Sequence, residues 1–171
     1  VMNQIRNLFS NRNFLLLWVG QLISLMGDQF YLIALPWLVL QLTGDGLAVG
    51  TVLAVAGIPR AAFMLVGGAL TDRFSARTLM LASNLFRFVL VSILAAIVFF
   101  NLVQLWMIYL LALAFGLADA FFFPAQNAIV PRLVDEKQLA PANGFVQATT
   151  QLSLLLGPVL AGWLIATSGG S

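Results

Sequence analysis

The chain contains no cysteine and no histidine. The first absence excludes disulfides and thiolate-held metals, and it leaves the redox character of the compartment unmarked. The second removes the commonest metal ligand and proton shuttle, so no metal and no cofactor is expected. Charge is scarce as well: eight Lys/Arg and six Asp/Glu make up 8% of 171 residues, where a soluble domain carries about 25%. No basic run exists, so the net charge of +2 is no nucleic-acid signal. Neither a nucleophile elbow nor a Gly-x4-Gly-Lys-Ser/Thr phosphate loop occurs, which argues against an enzyme and against direct ATP coupling.

What the chain has is apolar length. It is 61% hydrophobic, a composition that would leave a soluble protein with large aggregating patches. The bilayer is its expected partner. Five runs reach the roughly 20 residues that a spanning helix needs: 14–42, 47–70, 78–100, 102–124 and 142–167. Lipid cannot satisfy backbone groups, so the runs are read as helices, and they are too long and uniformly apolar for barrel strands. The first follows Arg6 and Arg12 like a secretory signal, but it far exceeds the apolar stretch of about 7–15 residues in a cleaved one. It is read as a retained membrane helix. The expected fold is all-α, with five transmembrane helices.

A short charged turn, Gly68-Ala69-Leu70-Thr71-Asp72-Arg73-Phe74-Ser75-Ala76-Arg77, joins the second and third runs. A second charged loop, 131–137, carries Arg132 and Lys137 between the fourth and fifth. If the runs alternate in direction, Arg6, Arg12, Arg73, Arg77, Arg132 and Lys137 all fall on one side and none on the other. Positive residues mark the cytoplasmic side, so the N-terminus is expected there. Trp37, Trp106 and Trp163 fall near the outer ends of their helices and Trp18 near an inner end, which suits an aromatic belt.

Four charges remain inside the runs: Asp28, Arg60, Arg87 and Asp119. Each costs at least about 2.5–3.5 kcal/mol near the bilayer centre. Two acids and two bases at that cost point either to a polar path for substrate or protons or to ion pairs that lock helices together. Depth permits Asp28–Arg60 and Arg87–Asp119 pairs. Asp28 is the leading candidate for proton coupling. It follows Gly27 on a helix that also bears Gln21, Ser24 and Gln29, and a carboxylate in such a place loses its buried charge by taking up a proton. Arg60 follows Pro59 and Gly57, where a proline bend beside a charge suits a site or a gate, or packing alone. In the fifth run Gly144, Ser153, Gly157, Pro158, Ala161 and Gly162 stand out. Small residues at 153, 157 and 161 form a stripe that lets another helix come close.

Taken together these residues resemble the N-terminal half of a major facilitator superfamily transporter. The turn is similar to that superfamily's signature between its second and third helices, with Gly68, Asp72, Arg73 and Arg77 matching and Ser75 and Ala76 departing from it. The fifth run resembles the antiporter signature of drug exporters, with Ser153 and Ala161 in place of glycines. Gly20-Gln21-Leu22-Ile23-Ser24, Gly27-Asp28-Gln29, Ala34-Leu35-Pro36-Trp37 and 116–125 look like the macrolide-efflux type of drug:proton antiporter. Ala112 stands where many exporters carry a fourth-helix arginine, so that arginine's role has no carrier here.

The resemblance implies five helices of a six-helix bundle, a missing C-terminal half, a central cavity and alternating access. It further implies the plasma (inner) membrane of a bacterium, a small amphipathic substrate and protons as partners, and a conformational switch at Asp72, which would meet a helix N-terminus of the other half. The Phe-rich 121–123 stretch would line the cavity, or face lipid. A chain of five helices ending in a Gly/Ser tail is expected to be a fragment of something longer. Two other readings stand beside the drug exporter: export of a siderophore or other metabolite on the same fold, and a non-transporting five-helix scaffold.

Overall fold

The computed structural model describes residues 10–168 of the chain. Arg6 and the Gly169–Ser171 end of the expected flexible tail lie outside the described residues. Five long helices account for nearly all of what is described: α1 (Arg12–Thr43), α2 (Gly46–Arg73), α3 (Ala76–Phe99), α4 (Leu105–Leu133) and α5 (Leu139–Ser168). All five are long and apolar enough to cross a membrane.

The connections are as short as the composition foretells. Asn11 caps α1, its side-chain oxygen accepting from the backbone N–H of Asn13 and Phe14 at 3.1 and 3.4 Å. Gly44 takes a left-handed φ of 65° between α1 and α2, which glycine allows without strain. Asp45 then caps α2, accepting from Leu47 N–H at 2.9 Å. Asn101, at φ 55°, makes the reversal between α3 and α4. A single 3-10 turn, Glu136–Gln138, precedes α5.

Two boundaries differ from the sequence reading. The charged stretch 68–77 is mostly helix: α2 runs on through Arg73, Phe74 caps it, and α3 opens at Ala76. The turn is therefore Phe74 and Ser75 alone. The larger difference is in α4, expected to end at Pro124 and observed to continue through Pro124 and Pro131 to Leu133. Proline is a strong helix stop in water. In lipid a broken helix would expose several backbone groups with no water to satisfy them, so the helix continues past one missing N–H.

The chain groups into two compact units, Val1–Leu35 with Val130–Ser171, and Pro36–Ile129. In the first, α1 buries Phe14, Gln21, Leu25, Gln29 and Leu35. The α5 face buries Ala142, Thr149, Ser153, Gly157 and Ala161. The indole N–H of Trp18 donates to the Thr149 hydroxyl at 2.7 Å, joining α1 to α5. Asn11 donates to the Leu133 carbonyl at 2.8 Å. Gly157 meets the Gln29 side chain so closely that a Cβ would overlap it. The expected small-residue stripe at 153, 157 and 161 is thus a buried seam. Gly144, Pro158 and Gly162 lie on exposed positions off it.

In the second unit α3 buries Ala76, Met80, Ser83, Arg87 and Leu90, a repeat of alternating four and three residues that keeps one face inward. α4 is the most enclosed helix, with Ile108, Leu111, Ala112, Phe115, Ala118, Ala120, Phe122, Ala125 and Ile129 buried. α2 and α4 run side by side in the same direction. The hydroxyls of Thr51 and Tyr109 are 2.7 Å apart, Gly116 abuts the Ala56 carbonyl, and Gly67 abuts the Ala120 carbonyl. Much of the outward surface of both units is large and apolar, including Leu65, Phe88, Phe99 and Leu155, as a surface in contact with lipid or another apolar bundle should be.

Candidate functional site

Three of the four charges inside the apolar runs meet in the second unit. α2 carries Arg60, α3 carries Arg87 and α4 carries Asp119. Arg60 lies fourteen residues from Gly46 and thirteen from Arg73, and Asp119 fourteen from each end of α4. Arg87 is equally central in α3. Within the run 102–124 Asp119 lies near the end. Extension of α4 to Leu133 brings Asp119 to the middle of its helix.

Arg87 Nη2 donates to Asp119 Oδ1. The other carboxylate oxygen, Oδ2, lies 3.6 Å from Arg60 Nη1. One carboxylate thus serves two guanidiniums, unequally. Arg87 is held close and is 6% exposed at its side chain, while Arg60 is held loosely and is 49% exposed. The Arg87–Asp119 pairing expected from depth is present. The acid beside Arg60 is Asp119. Asp28 is half-buried in the other unit.

Aromatic rings complete the cluster. The Arg87 guanidinium lies over the Phe122 ring at 4.4 Å, and Arg60 lies over Phe123 at 5.4 Å. The two rings meet edge to face at 6.0 Å. A ring face attracts a cation with about 2 kcal/mol or more when water is excluded. Phe122 and Phe123, singled out in the sequence only as lining or lipid-facing residues, are therefore partners of the two arginines. Only one cue was present in the sequence, their spacing of three and four residues from Asp119 on one helix. Gly67 was passed over in favour of its neighbour Gly68. Gly67 makes the tight approach, whereas nothing stands within 4 Å of a Cβ at Gly68.

The remaining site candidates are separate. Asp72 and Arg73 lie exposed in the last turn of α2 and Arg77 exposed in the first turn of α3. No ion pair joins these three among the described residues. Asp72 sits at the negative end of its own helix dipole, where a carboxylate is mildly disfavoured, so α2 itself gives no reason for an acid there. Ala112 is fully buried in α4, which leaves no room for the arginine that many exporters carry at that point. No group of three or more acidic side chains that could hold a metal occurs among the described residues.

The sequence profile of the Major Facilitator Superfamily matches residues 17–170. Among individual proteins, Macrolide efflux protein A of Streptococcus pyogenes is 27% identical over 151 residues, covering 88% of this chain and 37% of its own length. Multidrug efflux pump Tap of Mycolicibacterium fortuitum is 29% identical over 162 residues, 91% of this chain and 39% of its own. Macrolide efflux protein A of Enterococcus faecalis is 30% identical over 107 residues, 63% of this chain and 33% of its own. The chain spans well under half the length of the curated relatives it matches. No solved structure matches it.

Proposed function

The chain belongs to the Major Facilitator Superfamily, and from that membership we propose that it is the N-terminal bundle of a secondary active transporter that exports bulky amphipathic compounds, of the drug or macrolide kind, in exchange for protons. The observation that carries the reading is the shared carboxylate. Asp119 stands mid-helix between Arg60 and Arg87, and an intramembrane ionisable residue is by default a candidate for an ion or substrate path. A charged group that enters the path and competes for that carboxylate or for Arg60 would change the arrangement of all three side chains. The relatives named as efflux proteins support the direction of transport.

Asp28 is the proton site in this reading, on a helix face with Gln21, Ser24 and Gln29. The short turn at Phe74–Ser75 carries the switch. Gly68, Asp72, Arg73 and Arg77 surround it on the cytoplasmic side, and Asp72 is free to meet a helix N-terminus of a second bundle. That contact is worth about 0.3–1 kcal/mol, and more if half-buried. The seam residues Ser153, Gly157 and Ala161 hold α1 and α5 together, while Gly144, Pro158 and Gly162 present the outer face of α5. The N-terminus lies in the cytoplasm of a bacterial cell, with the helices in its plasma membrane.

Reconstitution of the full-length protein in liposomes with an imposed proton gradient tests this. Drug movement should follow the gradient, and Asp28→Asn should abolish it while the protein still folds. Transport by Asp28→Asn at the unaltered rate would remove Asp28 from the mechanism, and transport indifferent to the gradient would remove protons altogether.

A further inference from the structure

We propose that Arg60 is the anchor for the anionic group of the exported compound, so that the preferred substrate is an amphipathic organic anion, a carboxylate on an aromatic or aliphatic body. The proposal rests on the exporter reading above and narrows it, choosing acidic drug-like compounds over amine-bearing ones of the macrolide kind.

The argument begins with depth. Arg60 is thirteen residues from the nearer end of α2, about 20 Å along a helix at roughly 1.5 Å per residue. An arginine can snorkel to the interface from the end of a helix but not from its middle. Its side chain is nonetheless 49% exposed. A guanidinium in that position cannot face hydrocarbon, so the exposed half faces water, a ligand or a second bundle.

The second step is satisfaction. Guanidinium has five N–H donors in a planar fork. Among the described residues Arg60 makes no hydrogen bond. Its one polar neighbour, Asp119, lies at 3.6 Å, beyond hydrogen-bond range, with its other oxygen already given to Arg87. The fork is thus open on its exposed edge. A carboxylate is the group whose two oxygens match it in a bidentate pair.

The third step is the apolar body. One turn on from Arg60, Phe63 and Met64 are exposed, and one turn before it Gly57 is exposed with nothing within 4 Å of where a Cβ would stand. Phe123 flanks the guanidinium from α4. A cation, two aromatic rings, a flexible thioether and an open backbone on one face suit an anion with a bulky apolar tail. A cationic amphiphile would meet the guanidinium as a like charge.

The test uses the full-length protein in detergent and three pyrene probes of matched size: pyrenebutyrate, its methyl ester, and pyrenebutyl-trimethylammonium. Pyrenebutyrate should bind at least about tenfold more tightly than the ester, the range for hydrogen bonds to a charged group. Arg60→Gln should erase the preference, and Arg60→Lys should keep part of it, which separates lost charge from lost fold. The wild-type comparison needs no variant at all. Equal binding of the three probes, or tighter binding of the cation, overturns the proposal and leaves the exporter reading standing. If none of the three binds, the proposal falls, and the exporter reading falls with it only if no drug moves with the gradient in proteoliposomes.

Discussion

Gly67 on α2 sits against the backbone carbonyl of Ala120 on α4, and that carbonyl is the one Pro124 leaves without its helical donor. Pro124 has no N–H to offer the residue four before it. A glycine is the only residue that lets a neighbouring backbone come this near, because it has no Cβ. Thr71, one turn on, donates to the Gly67 carbonyl at 2.7 Å. Gly67→Ala should therefore force α2 and α4 apart and lower the stability of the purified full-length protein by about 1–3 kcal/mol, the usual cost of overpacking. Gly68→Ala, with open space at its Cβ, should melt like the parent. Thermal unfolding in detergent reads both.

The unequal sharing of Asp119 gives an asymmetry. Asp119→Asn leaves two guanidiniums without their common carboxylate, one of them buried, and breaking a buried pair costs about 3–5 kcal/mol. Arg60→Gln removes a half-exposed partner at 3.6 Å, worth at most about 1 kcal/mol. The first variant should show a large drop in melting temperature and the second almost none. Equal losses would mean that Arg60, and not Arg87, supplies most of what the carboxylate contributes.

The α5 seam should be selective in the same way. Gly157→Ala places a methyl group into Gln29 and should reduce folded yield. Gly144→Ala and Gly162→Ala, where nothing lies within 4 Å of the new Cβ, should be silent in the same assay of monodisperse protein after extraction.

Topology is open to direct chemistry. A single cysteine at Ser75, in a cysteine-free background of the full-length protein, should react with a membrane-impermeant maleimide only in inside-out vesicles. One at Gly44 should react only in whole cells. The reverse pattern would invert the orientation assigned from the arginines.

Much of this was legible in the residues because lipid makes sequence literal. An apolar run of about 20 residues can hardly be anything but a helix there, so all five helices and the buried 153–157–161 stripe were foreseeable. Proline was misread for the same reason in reverse. Its meaning as a stop comes from water, and α4 runs through Pro124 and Pro131. That error moved Asp119 off centre. The partner of Arg60 was illegible from depth, because ending the fourth run at Pro124 set Asp119 away from the middle of its helix. Phe122 and Phe123 as arginine partners, and Gly67 over Gly68, depend on which way a helix is rotated, and a run apolar on every side does not encode that.

The separation of Arg87 from Asp119 along the chain, 32 residues, has a consequence for biosynthesis. A ribosome making about 5–20 residues per second completes Arg87 seconds before it completes Asp119, and Arg60 earlier still. α2 and α3, joined by only Phe74 and Ser75, therefore reach the membrane ahead of α4, with two arginines whose carboxylate is still behind them in the chain. The nascent hairpin has to wait in a protein-lined or hydrated vestibule until α4 arrives. Expression of this protein should accordingly depend on the insertion machinery more steeply than its mean hydropathy would indicate.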